Sequence, residues 1–272
     1  MRIHHLNCGA MQPYGGALFD GQTPVFAQGG LAPATLACHC LLLEHHAGLT
    51  LVDTGTVSTN PAADRARHSP FFRTIDRLRL DAPESAHAQI RALGLDPARV
   101  QNIVMTHLDF DHAAGLTDFP EATIHLSAQE AYAAQNPNSP KARQRFRPAQ
   151  WGSTRNWRTY PSFKDDWFGL PATPLPGELL LISLPGHTEG HCGVAIPTTT
   201  GWLLHAADAI FHHRELHGHP MPPAAHAYQW AMQTSQSARR RTLHALQTLA
   251  RTHPDEVEII CTHDPSLIPS SS

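Results

Sequence analysis

The chain has 272 residues, enough for a sizeable core, and 1–272 reads as a single domain. Lys and Arg total 20 against 23 Asp and Glu, a formal net charge of -3, which excludes the strong positive field of a nucleic-acid partner. The opening MRIHHLNCGA lacks the apolar core of a secretory signal. No apolar run approaches the roughly 18 residues of a spanning helix, so a cytoplasmic protein with no membrane partner is expected.

In chain order, TLACHCLLL (35–43) is an apolar run suited to a buried strand. GLTLVDTG (48–55) repeats the pattern and ends at a turn signal, so the two predict a hairpin. ESAHAQIRALG (84–94) predicts a helix stopped at Gly94. VQNIVMTH (100–107) is a strand, ATIHLS (122–127) another, and SAQEAYAAQ a helix capped by Ser127. Residues 136–178 are rich in Pro, Arg, Trp and Ser without a sustained period, and predict a cap or lid over a site. ELLLISLPGH, GHCGVAIPT and GWLLHAAD are three strands divided by Gly and Pro. Residues 227–252 predict one long amphipathic helix, with Leu243, Leu246 and Leu249 on its apolar side, and EVEIICTHD (256–264) a final strand. The order predicts two similar halves, each a sheet covered by helices.

The composition has one outlier, 21 histidines, and histidine is the commonest metal ligand. The five cysteines have no regular spacing, so a disulfide framework is not expected. Cys38-His39-Cys40 lies in a strand, where neighbours point to opposite faces. Four strands, however, end in ligand-type residues: His107, Asp109, Asp111 and His112 after the first, then His187, Asp208 and His263. Such ends can lie side by side along one sheet edge, where functional residues gather. His107 and Asp109 alternate and can face one ion, while Asp111 and His112 can reach a second. Two ions about 3.5–4 Å apart need a bridging group, and Asp208, isolated among small residues in HAADA, suits that role.

THLDFDH, PGHTEGHCG, HAAD and CTHD follow in the order and at the intervals of the metallo-β-lactamase superfamily, which the chain resembles from about residue 35 to 265. VDTG (52–55) matches as well. The resemblance implies a four-layered αβ/βα sandwich of two mixed sheets flanked by helices, with the site at one edge. It implies His107, Asp109 and His187 at one metal, Asp111, His112 and His263 at the other, and Asp208 between them with a hydroxide. Asp53 then supports the metal loop without binding metal. The PGHTEGH segment resembles the lactonase and glyoxalase-II-like branch, which acts on lactones, esters and thioesters.

Two departures stand out. Asp109 occupies the position of the second histidine in the family pattern His-x-His-x-Asp-His. It makes the centre one unit less positive and adds a hard oxygen ligand, which favours iron or manganese relative to an all-imidazole site. Two divalent ions are expected, zinc first, with iron or manganese as alternatives. Charge counting on the loop alone predicts that Asp109→His keeps metal binding and changes metal preference. Phe211 stands where the homoserine-lactone lactonases carry a tyrosine three residues after the bridging aspartate, leaving Tyr14 or Tyr160 to substitute.

The expected function is a dinuclear metal-dependent hydrolase of a lactone, ester or related acyl bond, with Asp111 and Asp208 as catalytic carboxylates and a small molecule as substrate. The alternatives are a diiron redox enzyme and a non-catalytic metal-binding protein. His191 is expected to support the site, and the cluster from His212 to His226 to form a solvated loop. The apolar stretches of the cap and of NCGAMQPYGG can cover a substrate or a second copy of the chain in a homodimer.

Overall fold

The computed structural model describes residues 1–27, 29–46, 48–151 and 156–269. Strand β1 (Arg2–Met11) is followed by a short hairpin, β2 (Phe26–Ala27) and β3 (Gly30–Leu31). Then come β4 (Leu36–His45), β5 (Gly48–Val52), β6 (Val100–Val104), β7 (Thr123–Ser127) and β8 (Trp157–Tyr160). The second half holds β9 (Asp165–Trp167), β10 (Leu170–Pro174), β11 (Leu180–Ser183), β12 (Cys192–Pro197), β13 (Trp202–His205) and β14 (Val257–Ile260). Two six-stranded sheets result, ordered β1-β4-β5-β6-β7-β8 and β14-β13-β12-β11-β10-β9. Both are mixed. In the first, β1, β4 and β5 run antiparallel, while β5 to β8 are parallel. In the second, β13 and β14 are the parallel pair.

Alternation along β4 explains the layers. Leu41 and Leu43 point inward and meet Leu181, Val194, Ile196, Leu203 and Ile260 of the second sheet. Cys40 and Leu42 point outward and pack with Ile90, Ile103 and Leu116 beneath the helices of the first half. The outer face of the second sheet, with Ile182, Leu204 and Ile259, is covered by Leu246 and Leu249 of the helix Gln236–Thr252. Strands buried on both faces read as continuous apolar runs, which is why TLACHCLLL does not alternate. The predicted four-layer αβ/βα sandwich is the fold observed.

Three segments differ from the sequence reading. β1 was not predicted, because RIHHLNCGAM mixes polar and apolar residues irregularly, yet it pairs with β4 from Arg2↔Glu44 to Met11↔Leu36. The single helix expected over 227–252 is two, Pro223–Met232 and Gln236–Thr252. Thr234 breaks it by donating its backbone N–H to Gly186 O, and Ser235 caps the second helix through Ala238 N–H. Residues 136–178 contain the helix Pro140–Arg145 and the strands β8, β9 and β10, so much of this stretch extends the two sheets; 152–155 lie outside the described residues.

Leu43 is fully buried between the sheets. Leu43→Ala is expected to cost about 2–5 kcal/mol, read as a lower denaturant midpoint with an unchanged slope; a change below about 1 kcal/mol would mean that the sheets close over the gap.

Candidate metal centre

The loops after β6, β11, β13 and β14 converge at one edge of the sandwich. All seven predicted ligand residues are brought together there, and each is buried. His107, Asp109 and His187 form one cluster, and Asp111, His112, Asp208 and His263 another. In the first, His187 Nε2 lies 2.9 Å and His107 Nε2 3.5 Å from Asp109 Oδ2. In the second, His263 Nε2 lies 3.4 Å and His112 Nε2 3.8 Å from Asp111 Oδ2. Asp208 stands between them. Its Oδ1 is 3.2 Å from His112 Nε2, and its Oδ2 is 3.1, 3.5 and 3.9 Å from His263, His187 and His107.

His187 Nε2–Asp109 Oδ2 and His263 Nε2–Asp208 Oδ2 are hydrogen bonds, and the longer separations match the spacing of ligands around one ion. Donor atoms about 2.0–2.2 Å from one ion at tetrahedral angles lie about 3.3–3.5 Å apart. His107 Nε2 is buried without a hydrogen-bond partner and faces this centre, and the 3.2 Å contact of His112 Nε2 with Asp208 Oδ1 is not aligned as a hydrogen bond. Buried polar atoms left unpaired or poorly paired among carboxylates are costly, and a cation would satisfy them. The donor set of imidazoles and carboxylates suits zinc, manganese or iron.

The surrounding residues fix the rings. Asp53 accepts hydrogen bonds from Thr106 N–H (2.9 Å) and Thr106 Oγ1 (2.7 Å), and its Oδ2 lies 2.8 Å from His112 Nδ1, turning Nε2 to the centre. Asp53 adopts φ 58, and the following Gly55, at φ 75, lies where a Cβ would strike Cys8. The supporting role read from VDTG is thus visible in the contacts. His263 donates Nδ1–H to Ala37 O at 2.8 Å. His191 accepts Asp208 N–H at Nε2 and holds Leu184 O through Nδ1, so it supports the Asp208 backbone, as expected.

Two residues here escaped the sequence reading. Glu130 follows the cap Ser127 at capping-box spacing, and Ser127 does cap through Glu130 N–H. Its side chain instead accepts Leu108 N–H (3.0 Å) and Thr188 Oγ1–H (2.6 Å), tying the first metal loop to the PGHTEGH loop. Gly190 makes that approach possible, since a Cβ there would meet the Glu130 backbone. Arg145 ends the helix Pro140–Arg145 and is 2% exposed. Its Nε lies 2.8 Å from Asp109 Oδ1. The charged PKARQR run gave no sign that one arginine turns inward.

On the substrate side, the Phe211 ring lies 4.8 Å from the His263 ring and 5.8 Å from that of His187. Both tyrosines offered as its substitute are engaged elsewhere. Tyr160 OH is engaged with His125 Nδ1 at 2.8 Å, and the half-exposed Tyr14 ring lies under Arg77. Tyr228 instead packs on Phe211, ring centres 6.2 Å apart, and donates its hydroxyl to Asp76 Oδ2 at 3.1 Å. Burial, with the Asp111 charge adding, pushes the Asp76 carboxyl up to about 7. Of the later histidine cluster, His212 and His213 hold Asp264 Oδ2 at 3.3 and 2.6 Å, beside the candidate ligand His263, whereas His217, His219 and His226 are exposed.

Electrostatics separates the clusters. Burial opposes charge on Asp109, but Arg145, then His107, hold its carboxyl well below the usual range. Burial pulls His187 down to about 4, so it is neutral. Burial acts against charge on His112 and His263 too, but the carboxylates, Asp208 foremost, push both above the ordinary histidine value. Burial pushes the Asp111 carboxyl up.

The Metallo-beta-lactamase superfamily matches residues 34–253 of this chain. A protein described as a probable metallo-hydrolase from Mycobacterium tuberculosis is 34% identical over 272 residues, covering 98% of this chain and 81% of that protein. An N-acyl homoserine lactonase from Agrobacterium fabrum is 29% identical over 182 residues, 65% of this chain and 66% of that one. Among solved structures, an N-acyl homoserine lactone hydrolase with N-hexanoyl-L-homoserine at its catalytic metal centre superposes with a TM-score of 0.72. It shares 18% identity over 97% of this chain and 93% of its own, a likeness of fold.

Without metal, the neighbouring carboxylates favour the protonated forms of His112 and His263, so a cation competes with protons there, whereas His187 is already neutral. Metal addition is therefore expected to release up to about two protons per chain, and affinity is expected to rise with pH until the raised histidine range is passed. Titration calorimetry in buffers of different ionisation heat reads this; binding heats that do not depend on the buffer would contradict it.

Proposed function

This chain belongs to the metallo-β-lactamase superfamily and is a metal-dependent hydrolase, and from that premise we propose that two divalent ions open a lactone or ester bond here. Asp208 carries the reading: one carboxylate stands within 3.9 Å of four histidine nitrogens from both clusters, a position that serves two cations at once. His107, Asp109 and His187 would hold one ion, Asp111, His112 and His263 the other, with Asp208 shared. Zinc is the first choice, and the Asp109 oxygen admits manganese or iron. When bound, the ions supply a Lewis acid for the acyl oxygen and acidify a water.

The chain's own groups do the rest. Water adds across the acyl bond: its oxygen joins the carbonyl carbon, the carbon–oxygen bond breaks, and a proton passes to the leaving oxygen. Asp208 is placed to orient that water and to take its proton. Asp111 shares His263 Nε2 with Asp208, which places a second carboxylate beside the reacting groups. No cysteine nucleophile is required, and burial pushes the Cys192 and Cys261 thiols well up.

A buried apolar cluster lies beside the two candidate ligands. Phe211, Met221, Ala225, Phe19 and Tyr228 pack together beside the ligands His187 and His263. Phe211 offers no hydroxyl to a substrate carbonyl, which sets the chain apart from the family's homoserine-lactone pattern.

A panel of lactones, aryl esters and thioesters, assayed with zinc, manganese or iron, tests the reading. At least one lactone or ester is expected to turn over, with activity lost on chelation and reduced by at least about 100-fold in Asp208→Asn. Turnover that survives chelation, or no turnover by any metal form, would overturn it.

A further inference from the structure

The Arg145 guanidinium is built into the first metal cluster. Two of its nitrogens donate hydrogen bonds, Nη1 to His187 O at 3.1 Å and Nη2 to Met232 O at 2.8 Å, and Nε forms an ion pair with Asp109 Oδ1 at 2.8 Å without a hydrogen bond. Nη2 also lies 3.3 Å from His187 Nε2. The two carbonyls fix the fork, which sets its charge against Asp109 Oδ1. Oδ1 faces the arginine, which leaves Oδ2 to face His107 and His187.

This placement answers the charge problem that Asp109 creates. A carboxylate at 109 makes the centre one unit less positive than a histidine would, and a guanidinium in contact with it restores that unit. We propose that Arg145 is a positioning residue that balances Asp109, holding it to one-oxygen ligation and keeping the charge of the centre that of a histidine-ligated one. The proposal rests on the two-metal reading above. It also changes the expected behaviour of Asp109→His. Charge counting on the loop alone predicts retained metal binding, but with Arg145 in place this variant leaves a buried guanidinium unpaired beside a more positive centre.

A double-mutant cycle tests it through metal binding, without a substrate. Zinc affinity is measured by chelator competition, and stoichiometry by elemental analysis, in the whole protein and in Asp109→His, Arg145→Gln and the double variant. Asp109→His is expected to weaken zinc binding by at least about tenfold, and adding Arg145→Gln to restore it to within about threefold of the starting protein. Additive losses would overturn the proposal, as a merely structural arginine would produce them. So would zinc content rising from one ion to two in Arg145→Gln, since the guanidinium would then be occupying the first site. A starting protein that binds no zinc, manganese or iron would instead sink the two-metal reading itself.

A second readout needs no change at 109. In cobalt-substituted protein, Arg145→Gln is expected to weaken the visible bands, because Asp109 is freed to ligate through both oxygens and raises the coordination number. Arg145→Lys, which keeps the charge, is expected to stay near the starting spectrum. A Gln variant with an unchanged spectrum would overturn the proposal.

Discussion

Burying the carboxylates of Asp109, Asp111 and Asp208 at one sheet edge is the constraint that the site depends on. Each carboxylate loses its hydration there, and among the described residues Arg145 is the one guanidinium in contact with any of them. Such a cluster is costly unless cations are shared among its members. The rest of the site follows from that need. Asp53, Ala37 O and Leu184 O hold the Nδ1 sides of His112, His263 and His191. Glu130 clamps the first loop to the third, and Gly55 and Gly190 let backbones approach where a side chain would not fit. The sandwich supplies the rigidity, with two sheets packed through Leu41, Leu43, Val194 and Ile260.

What was legible in the sequence was what has a short-range signature. The apolar runs of β4, β5, β6 and β11 to β14 declared themselves, and four of the strands end in ligand-type residues within a few positions. Asp53 was readable because VDTG is local and tied to a turn. The seven ligand positions could be named because each sits at a strand end, and the structure gathers all of them.

What was not legible depends on long-range contact. Arg145 reaches Asp109 across 36 positions from inside a segment with no periodicity. Glu130 carries a local capping signature that hides its longer reach to Leu108 and Thr188. β1 is a strand only because β4 offers it an edge, and its histidines have no apolar pattern of their own. The break near Thr234 exists because Gly186 O accepts that residue's N–H, which no helix propensity can show. Tyr228 becomes relevant only through its packing on Phe211.

The central claim is that two ions share Asp208, with Asp109 a ligand of one. Crystals of the metal-loaded protein, with anomalous data collected at the absorption edge of the bound metal, test it most directly. The account predicts two peaks about 3.5–4 Å apart, one reached by His107, Asp109 Oδ2 and His187, the other by Asp111, His112 and His263, with Asp208 touching both. A single peak, or a first ion that leaves Asp109 bound only to Arg145, would contradict it.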